Sequence, residues 1–144
     1  MWILIKKLKN EITFRGRYPG IFFLVIIQFI VGLIHLIFGL AMSLEYYSVA
    51  TYSTLPMVYS VYTLVYGLLT LFFTYFIWVG KRFGWIGTIT VSLFIILVDT
   101  LAVFDLSNIL GIPVPIVAAI GEIPFNILLS VYLLQNHVRA KYNI

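Results

Sequence analysis

Residues 21–44, IFFLVIIQFIVGLIHLIFGLAMSL, contain no Lys, Arg, Asp or Glu. As an α-helix rising ~1.5 Å per residue, this stretch is roughly 36 Å long, and the hydrocarbon core of a bilayer is about 30 Å thick. Three further apolar stretches follow at residues 55–79, 85–105 and 114–134. Hydrophobic residues make up 62% of the chain and charged residues 10%, with a mean hydropathy of +1.10. We therefore predict an all-α integral membrane protein, a bundle of four transmembrane helices.

Turn-forming residues separate the four stretches. Tyr18-Pro19-Gly20 precedes the first, Pro56 opens the second, and Gly80 and Gly84 bound the turn before the third. Gly and Pro at these positions end or begin helices because of their restricted or unusual backbone angles. The connections are too short to form a second domain, so we predict one four-helix domain over residues 1–144.

All nine Lys and Arg residues lie in three places: before the first apolar stretch, between the second and third, and after the fourth. They are Lys6, Lys7, Lys9, Arg15 and Arg17 before the first stretch, Lys81 and Arg82 between the second and third, and Arg139 and Lys141 after the fourth. Short loops rich in Lys and Arg stay on the cytoplasmic side of a membrane. We therefore predict a multi-pass protein of the cell membrane with both termini in the cytoplasm. Because no basic tract lies on a soluble face, we expect no nucleic-acid partner.

The segment before the first stretch has its own pattern. Trp2, Ile5, Leu8 and Ile12 recur at helical spacing, with the lysines largely off that stripe. Such a pattern is typical of an amphipathic helix lying in the membrane interface. We predict an interfacial helix within residues 1–17; the alternative is a short flexible basic tail that serves only to orient the chain.

Each predicted helix has one face of polar or small residues. These are Gln28, Gly32, His35 and Gly39; Tyr59, Thr63, Tyr66 and Thr70; Thr88, Ser92, Ile96 and Asp99; and Ala118, Glu122, Asn126 and Ser130. Spacings of three and four residues place each set on one side of a helix. Small residues and interhelical hydrogen bonds supply much of the attraction between helices in lipid. We therefore expect the four faces to meet inside the bundle.

Depth in the membrane follows from position along each helix. At ~1.5 Å per residue, His35 and Asp99 both lie about 21 Å above the cytoplasmic boundary. The corresponding estimate places Glu122 roughly 12 Å from the opposite boundary. We predict that His35, Asp99 and Glu122 form one layer together with Tyr62 and Thr63 of the second helix. This set of five residues is termed the outer layer. Gln28 and Asn126 are predicted to pair closer to the cytoplasm, as the inner layer.

Two interpretations of the outer layer stand side by side. A charged group at this depth costs at least ~2.5 kcal/mol, so intramembrane His, Asp and Glu often mark a functional site. Alternatively, Asp99 and Glu122 are protonated and serve only as hydrogen-bonding contacts between helices.

Recognisable enzyme chemistry is missing from the sequence. The absence of cysteine excludes thiol catalysis and thiolate-held metals. No HExxH motif, GxSxG motif or phosphate-binding glycine loop is present. His35 and His137 lie near opposite membrane boundaries and cannot hold one haem between them. We expect no catalytic activity, no cofactor and no metal site.

Two functions remain. The first is a non-catalytic accessory or structural subunit of a larger membrane protein complex, because the chain consists almost entirely of spans and short connections. Its partners would be the bilayer and other membrane subunits, with the aromatic end of the second helix (Phe72, Phe73, Phe76 and Trp78) as a contact surface. The second is a small self-associating transporter or channel that handles protons or cations through the outer layer.

Overall fold

The computed structural model describes residues 19–48, 54–106, 109 and 111–144. These residues form α1 (Pro19–Ser48), α2 (Thr54–Val79), α3 (Arg82–Val103), α4 (Ile116–Leu134) and the short α5 (Asn136–Lys141). Helices α1 to α4 are each long and apolar enough to cross a bilayer, and the described part of the chain contains no strand. The prediction of an all-α fold with four helices long and apolar enough to span a membrane is confirmed. The predicted interfacial helix at residues 1–17 lies outside the described residues.

Three helices end in the same backbone motif. The residues after their caps, Gly80, Asp105 and Asn143, have φ values of 81°, 58° and 55°. At the end of α3, the Asp105 N–H donates to the carbonyl of Ala102 and the Leu106 N–H to that of Leu101, the paired bonds of a Schellman cap. The sequence predicted α3 to continue through Asp105, because Asp gives a weaker stop signal than Gly.

Other helix bounds also differ from the prediction. Helix α1 continues to Ser48 rather than ending at residue 44, and α4 begins at Ile116 because Pro115 occupies its N-cap position. Helix α5 was not among the helices predicted from the sequence. It begins after Gln135, whose extended backbone (ψ 138°) interrupts the helical path between α4 and α5.

Glycines bring α1 and α2 into close contact. A Cβ atom added at Gly67 would lie 2.7 Å from the backbone nitrogen of Leu36 and 2.9 Å from the carbonyl oxygen of Gly32. A Cβ added at Gly39 would lie 2.9 Å from the backbone nitrogen of Leu64. Real Cβ atoms do not approach backbone this closely. The two helices can therefore lie this close together only because Gly39 and Gly67 lack side chains.

Both described ends of the chain lie at one end of the bundle, here termed the terminal end. There Ile21 of α1, Ile77 of α2 and Leu133 of α4 are almost fully buried together with Val138 and Tyr142. The Tyr142 hydroxyl donates to the carbonyl of Ile77 (3.2 Å). Helix α5 therefore packs back against the transmembrane helices. The four Lys and Arg residues that the structure describes belong to this end: Lys81 in the α2–α3 turn, Arg82 at the start of α3, and Arg139 and Lys141 in α5.

The polar and small faces lie inside the bundle and the apolar side chains outside. Buried polar residues include Gln28, Thr63, Thr70, Thr88, Ser92, Asp99, Asn126 and Ser130. Large apolar side chains such as Phe29, Leu68 and Leu128 are exposed on the outer surface of the bundle. This arrangement is the reverse of a soluble helical bundle, as expected where lipid is the solvent.

The four seams between neighbouring helices are not packed equally. Backbone contacts are densest between α1 and α2, and they are sparse between α1 and α4. A groove of about 330 Å³ lies between α1 and α4, lined by apolar side chains such as Phe23, Ile27 and Leu128. Side chains further along the two helices bridge this seam, and they belong to the candidate site.

Candidate functional site

A contact between His35 and Glu122 joins α1 to α4. The His35 Nε2 atom lies 3.0 Å from Glu122 Oε1, and His35 Nδ1 lies 2.8 Å from the carbonyl oxygen of Val31, one turn earlier on α1. The ring of Tyr66 packs edge-on against the imidazole, with 4.6 Å between ring centroids. The His35 and Glu122 side chains are both partly exposed, at 17% and 16% of their surface. The imidazole is thus held from three sides.

The geometry determines how many protons the pair holds. A backbone carbonyl only accepts hydrogen bonds, so His35 Nδ1 must carry a hydrogen to bond Val31. A hydrogen bond between Nε2 and Oε1 then requires one further proton between these atoms, on the nitrogen or on the oxygen. The pair is either imidazolium with carboxylate or imidazole with carboxylic acid. Both states are neutral overall, which suits a site surrounded by lipid.

Asp99 lies in the same region without a hydrogen-bond partner. Its side chain is 0% exposed, and neither carboxyl oxygen bonds any residue that the structure describes. It interacts electrostatically with Glu122 and His35. The Tyr62 hydroxyl and Glu122 Oε2 are also buried without a partner among the described residues. Burying such groups unpaired is costly, and most are paired in folded proteins. Asp99 is thus a buried carboxyl group whose hydrogen-bonding capacity the described residues do not satisfy.

Thr63 has a different environment from the rest of the outer layer. Its hydroxyl donates to the carbonyl of Tyr59 (2.8 Å), one turn earlier on α2. Thr side chains in helices commonly bond the backbone in this way, and lipid offers no competing water. A nucleophilic triad of Thr63, His35 and Asp99, which the residue types allow, is not formed, because His35 Nε2 contacts Glu122 instead.

The two inner-layer residues are close but not bonded to each other. The Gln28 Nε2 atom donates to Thr88 Oγ1 on α3 (3.3 Å). The Asn126 Nδ2 atom donates to the carbonyl of Glu122 (3.0 Å) and, at 3.5 Å, contacts the Tyr66 hydroxyl. Both side chains line one small cavity. The predicted direct hydrogen bond between Gln28 and Asn126 is not formed, because each amide bonds a different partner.

Tyr66 also belongs to the site, although the sequence did not mark it as a site residue. It contacts His35 in the outer layer and Asn126 in the inner layer. The available signal was its position, four residues after Tyr62 on the same helix face. Tyr66 links the two layers.

No group of three or more His, Asp or Glu residues positioned to hold a metal ion occurs within the described ranges. No family model, curated protein or solved structure matches the chain. Function must therefore be inferred from the site itself.

Proposed function

We propose that the protein is a small transporter or channel that handles protons within the bilayer through His35, Glu122 and Asp99. One observation carries the proposal: the hydrogen-bonded His35–Glu122 pair lies in the same region as Asp99, a fully buried carboxyl group whose two oxygens have no hydrogen-bond partner among the described residues. Intramembrane ionisable residues commonly form proton relays. This geometry favours proton handling over a purely structural subunit, because contacts between helices do not require a buried Asp99 that bonds none of the described residues.

The proposed elementary step is a proton transfer within the pair. The O–H bond of the Glu122 acid breaks as the N–H bond forms on His35 Nε2, converting acid and imidazole into carboxylate and imidazolium. The reverse step restores the starting state. The fully buried Asp99, which interacts electrostatically with both groups of the pair, is the second proton acceptor in this proposal.

Infrared difference spectroscopy of the protein in lipid vesicles tests this step without knowledge of a substrate. Wild-type protein should show a carboxylic acid C=O band that changes between acidic and alkaline buffer. Glu122→Gln keeps most of the side-chain shape and should remove one component of that band; Asp99→Asn should remove another. The matched control is Asp105→Asn, an exposed carboxyl just after α3, which should leave both components intact. Unchanged C=O bands in well-folded Glu122→Gln would refute the proposal.

Proton flux into vesicles driven by a membrane potential provides the functional readout. Glu122→Gln should assemble normally and reduce flux to the level of protein-free vesicles. If contacts between helices are its only role, Glu122→Gln should match wild type in assembly and in flux, while Glu122→Leu impairs assembly.

We propose as a second candidate that the protein is an accessory subunit of a larger membrane complex. The loosely packed α1–α4 seam, with its apolar groove, favours this role because a helix of another chain would complete the packing there. The aromatic end of α2 supports it less well than the sequence suggested. Phe72, Phe73 and Phe76 pack largely on one another and on Phe83, although Phe72 is still 49% exposed.

Purification in mild detergent separates the two candidates. A subunit should migrate with unrelated chains, and a transporter alone or as a homo-oligomer. A stable, isolated protein that moves protons would contradict the subunit role.

We also propose that the terminal end of the bundle faces the cytoplasm of a cell whose surface membrane holds the protein. The clustering of Lys81, Arg82, Arg139 and Lys141 at that end supports this orientation. The chain has no native cysteine, so single cysteines can be labelled cleanly. Cysteines replacing Ser48 and Ser107 should react with an impermeant reagent outside intact cells, and one replacing Asn143 should not. Labelling at Asn143 across a sealed membrane would reverse the orientation.

A further inference from the structure

The inner layer contains a buried acceptor that its protein neighbours do not satisfy. Gln28 is 2% exposed, and while its Nε2 donates to Thr88, its Oε1 has no partner among the residues described. An amide oxygen buried in this way costs about 1–3 kcal/mol unless it receives a hydrogen bond. Gln28 lines a small cavity at the centre of the bundle.

The walls of this cavity are chemically suited to a single small hydrogen-bonding molecule. Polar side chains from all four transmembrane helices line it: Gln28, Tyr66, Thr70, Thr88, Ser92 and Asn126. Its volume is about 10 Å³, near the lower limit of roughly 10–15 Å³ for holding one water molecule. Apolar cavities of larger size stay dry, but a cavity with two to four polar partners binds water.

We propose that this cavity is a structural water site. The bound water donates to Gln28 Oε1 and bonds to the side chains of Ser92 and Asn126. It would thereby connect the two inner-layer amides, which lie around one cavity without contacting each other directly. The site ties α1, α3 and α4 together at one depth.

The water also has a position relevant to the outer layer. Asn126 donates to the carbonyl of Glu122 and contacts Tyr66, which packs on His35. A role of this water in carrying protons towards the His35–Glu122 pair rests on the proposed function. The existence of the water site does not.

Infrared spectra of the protein in lipid films, recorded in H₂O and in H₂¹⁸O, test the site. Only water vibrations shift with the oxygen isotope, because amide and hydroxyl oxygens of the protein do not exchange. Wild-type protein should show a narrow, isotope-sensitive O–H band from an isolated water. Gln28→Met removes the acceptor while keeping side-chain length, and Ser92→Val fills the cavity; each should abolish the band.

Two controls make the result specific. Thr74→Val removes a buried hydroxyl that donates to the backbone carbonyl of Thr70; Thr74 itself does not line the cavity, so this variant should retain the band. Glu122→Gln should also retain it, so loss of proton handling and loss of the water are told apart. Absence of the band from wild type, or its persistence in folded Ser92→Val, would overturn the proposal.

Discussion

Replacing Gly67 by Ala provides the most direct test of how the bundle is packed. A Cβ at this position would meet backbone atoms of α1, the Leu36 nitrogen at 2.7 Å and the Gly32 oxygen at 2.9 Å. Backbone cannot move aside by changing a rotamer, so α1 and α2 must separate. Overpacking of this kind costs about 1–3 kcal/mol.

Gly121→Ala is the matched control. Gly121 is also within a transmembrane helix, but an added Cβ there meets nothing within 4 Å. The gain in helix propensity from Gly to Ala, roughly 1 kcal/mol, is common to both substitutions and cancels in their difference. Gly67→Ala should therefore be less stable than Gly121→Ala by about 1–3 kcal/mol, a 5- to 150-fold change in the unfolding equilibrium.

Equilibrium unfolding in mixed micelles, followed by circular dichroism, measures this difference. Gly32→Ala should fall between the two, because its nearest neighbours are side-chain atoms of Leu71 and Thr70 that can rotate away. Equal stability of Gly67→Ala and Gly121→Ala would refute the inference that backbone contact at Gly67 sets the distance between α1 and α2.

Two further predictions concern the terminal end. Trp85→Phe removes the indole N–H that donates to the carbonyl of Leu133 (2.8 Å). The free energy of unfolding should fall by about 0.6 kcal/mol, the average for hydrogen bonds between membrane helices. No change in the same unfolding assay would mean that the carbonyl finds another donor. Deletion of residues 136–144 removes the buried Val138 and Tyr142, and should increase labelling of a cysteine at Ser130 by a water-soluble thiol reagent in detergent. Equal labelling rates in the full-length and shortened chains would show that α5 does not restrict access to the interior.

The sequence alone determined the spans, the buried face of each helix and the approximate depth of the polar residues. Charged residues cannot lie inside the hydrocarbon core without cost, so the long uncharged stretches define the helices. Helical periodicity fixes which residues share a face, and the rise per residue fixes their level. These local rules placed His35 and Glu122 on faces that meet and at similar heights, and the structure brings them to 3.0 Å.

Only the tertiary structure decided which polar groups pair within a level. Partner choice depends on the rotation and separation of whole helices, which the contacts at Gly39 and Gly67 set between α1 and α2. Hence Gln28 bonds Thr88 rather than Asn126, and Asp99 is left without a partner among the described residues. The docking of α5 likewise depends on residues of three other helices, which surround Val138 and Tyr142. Helix α5 was not predictable from the sequence, because six residues are too few for a helical period to be recognised.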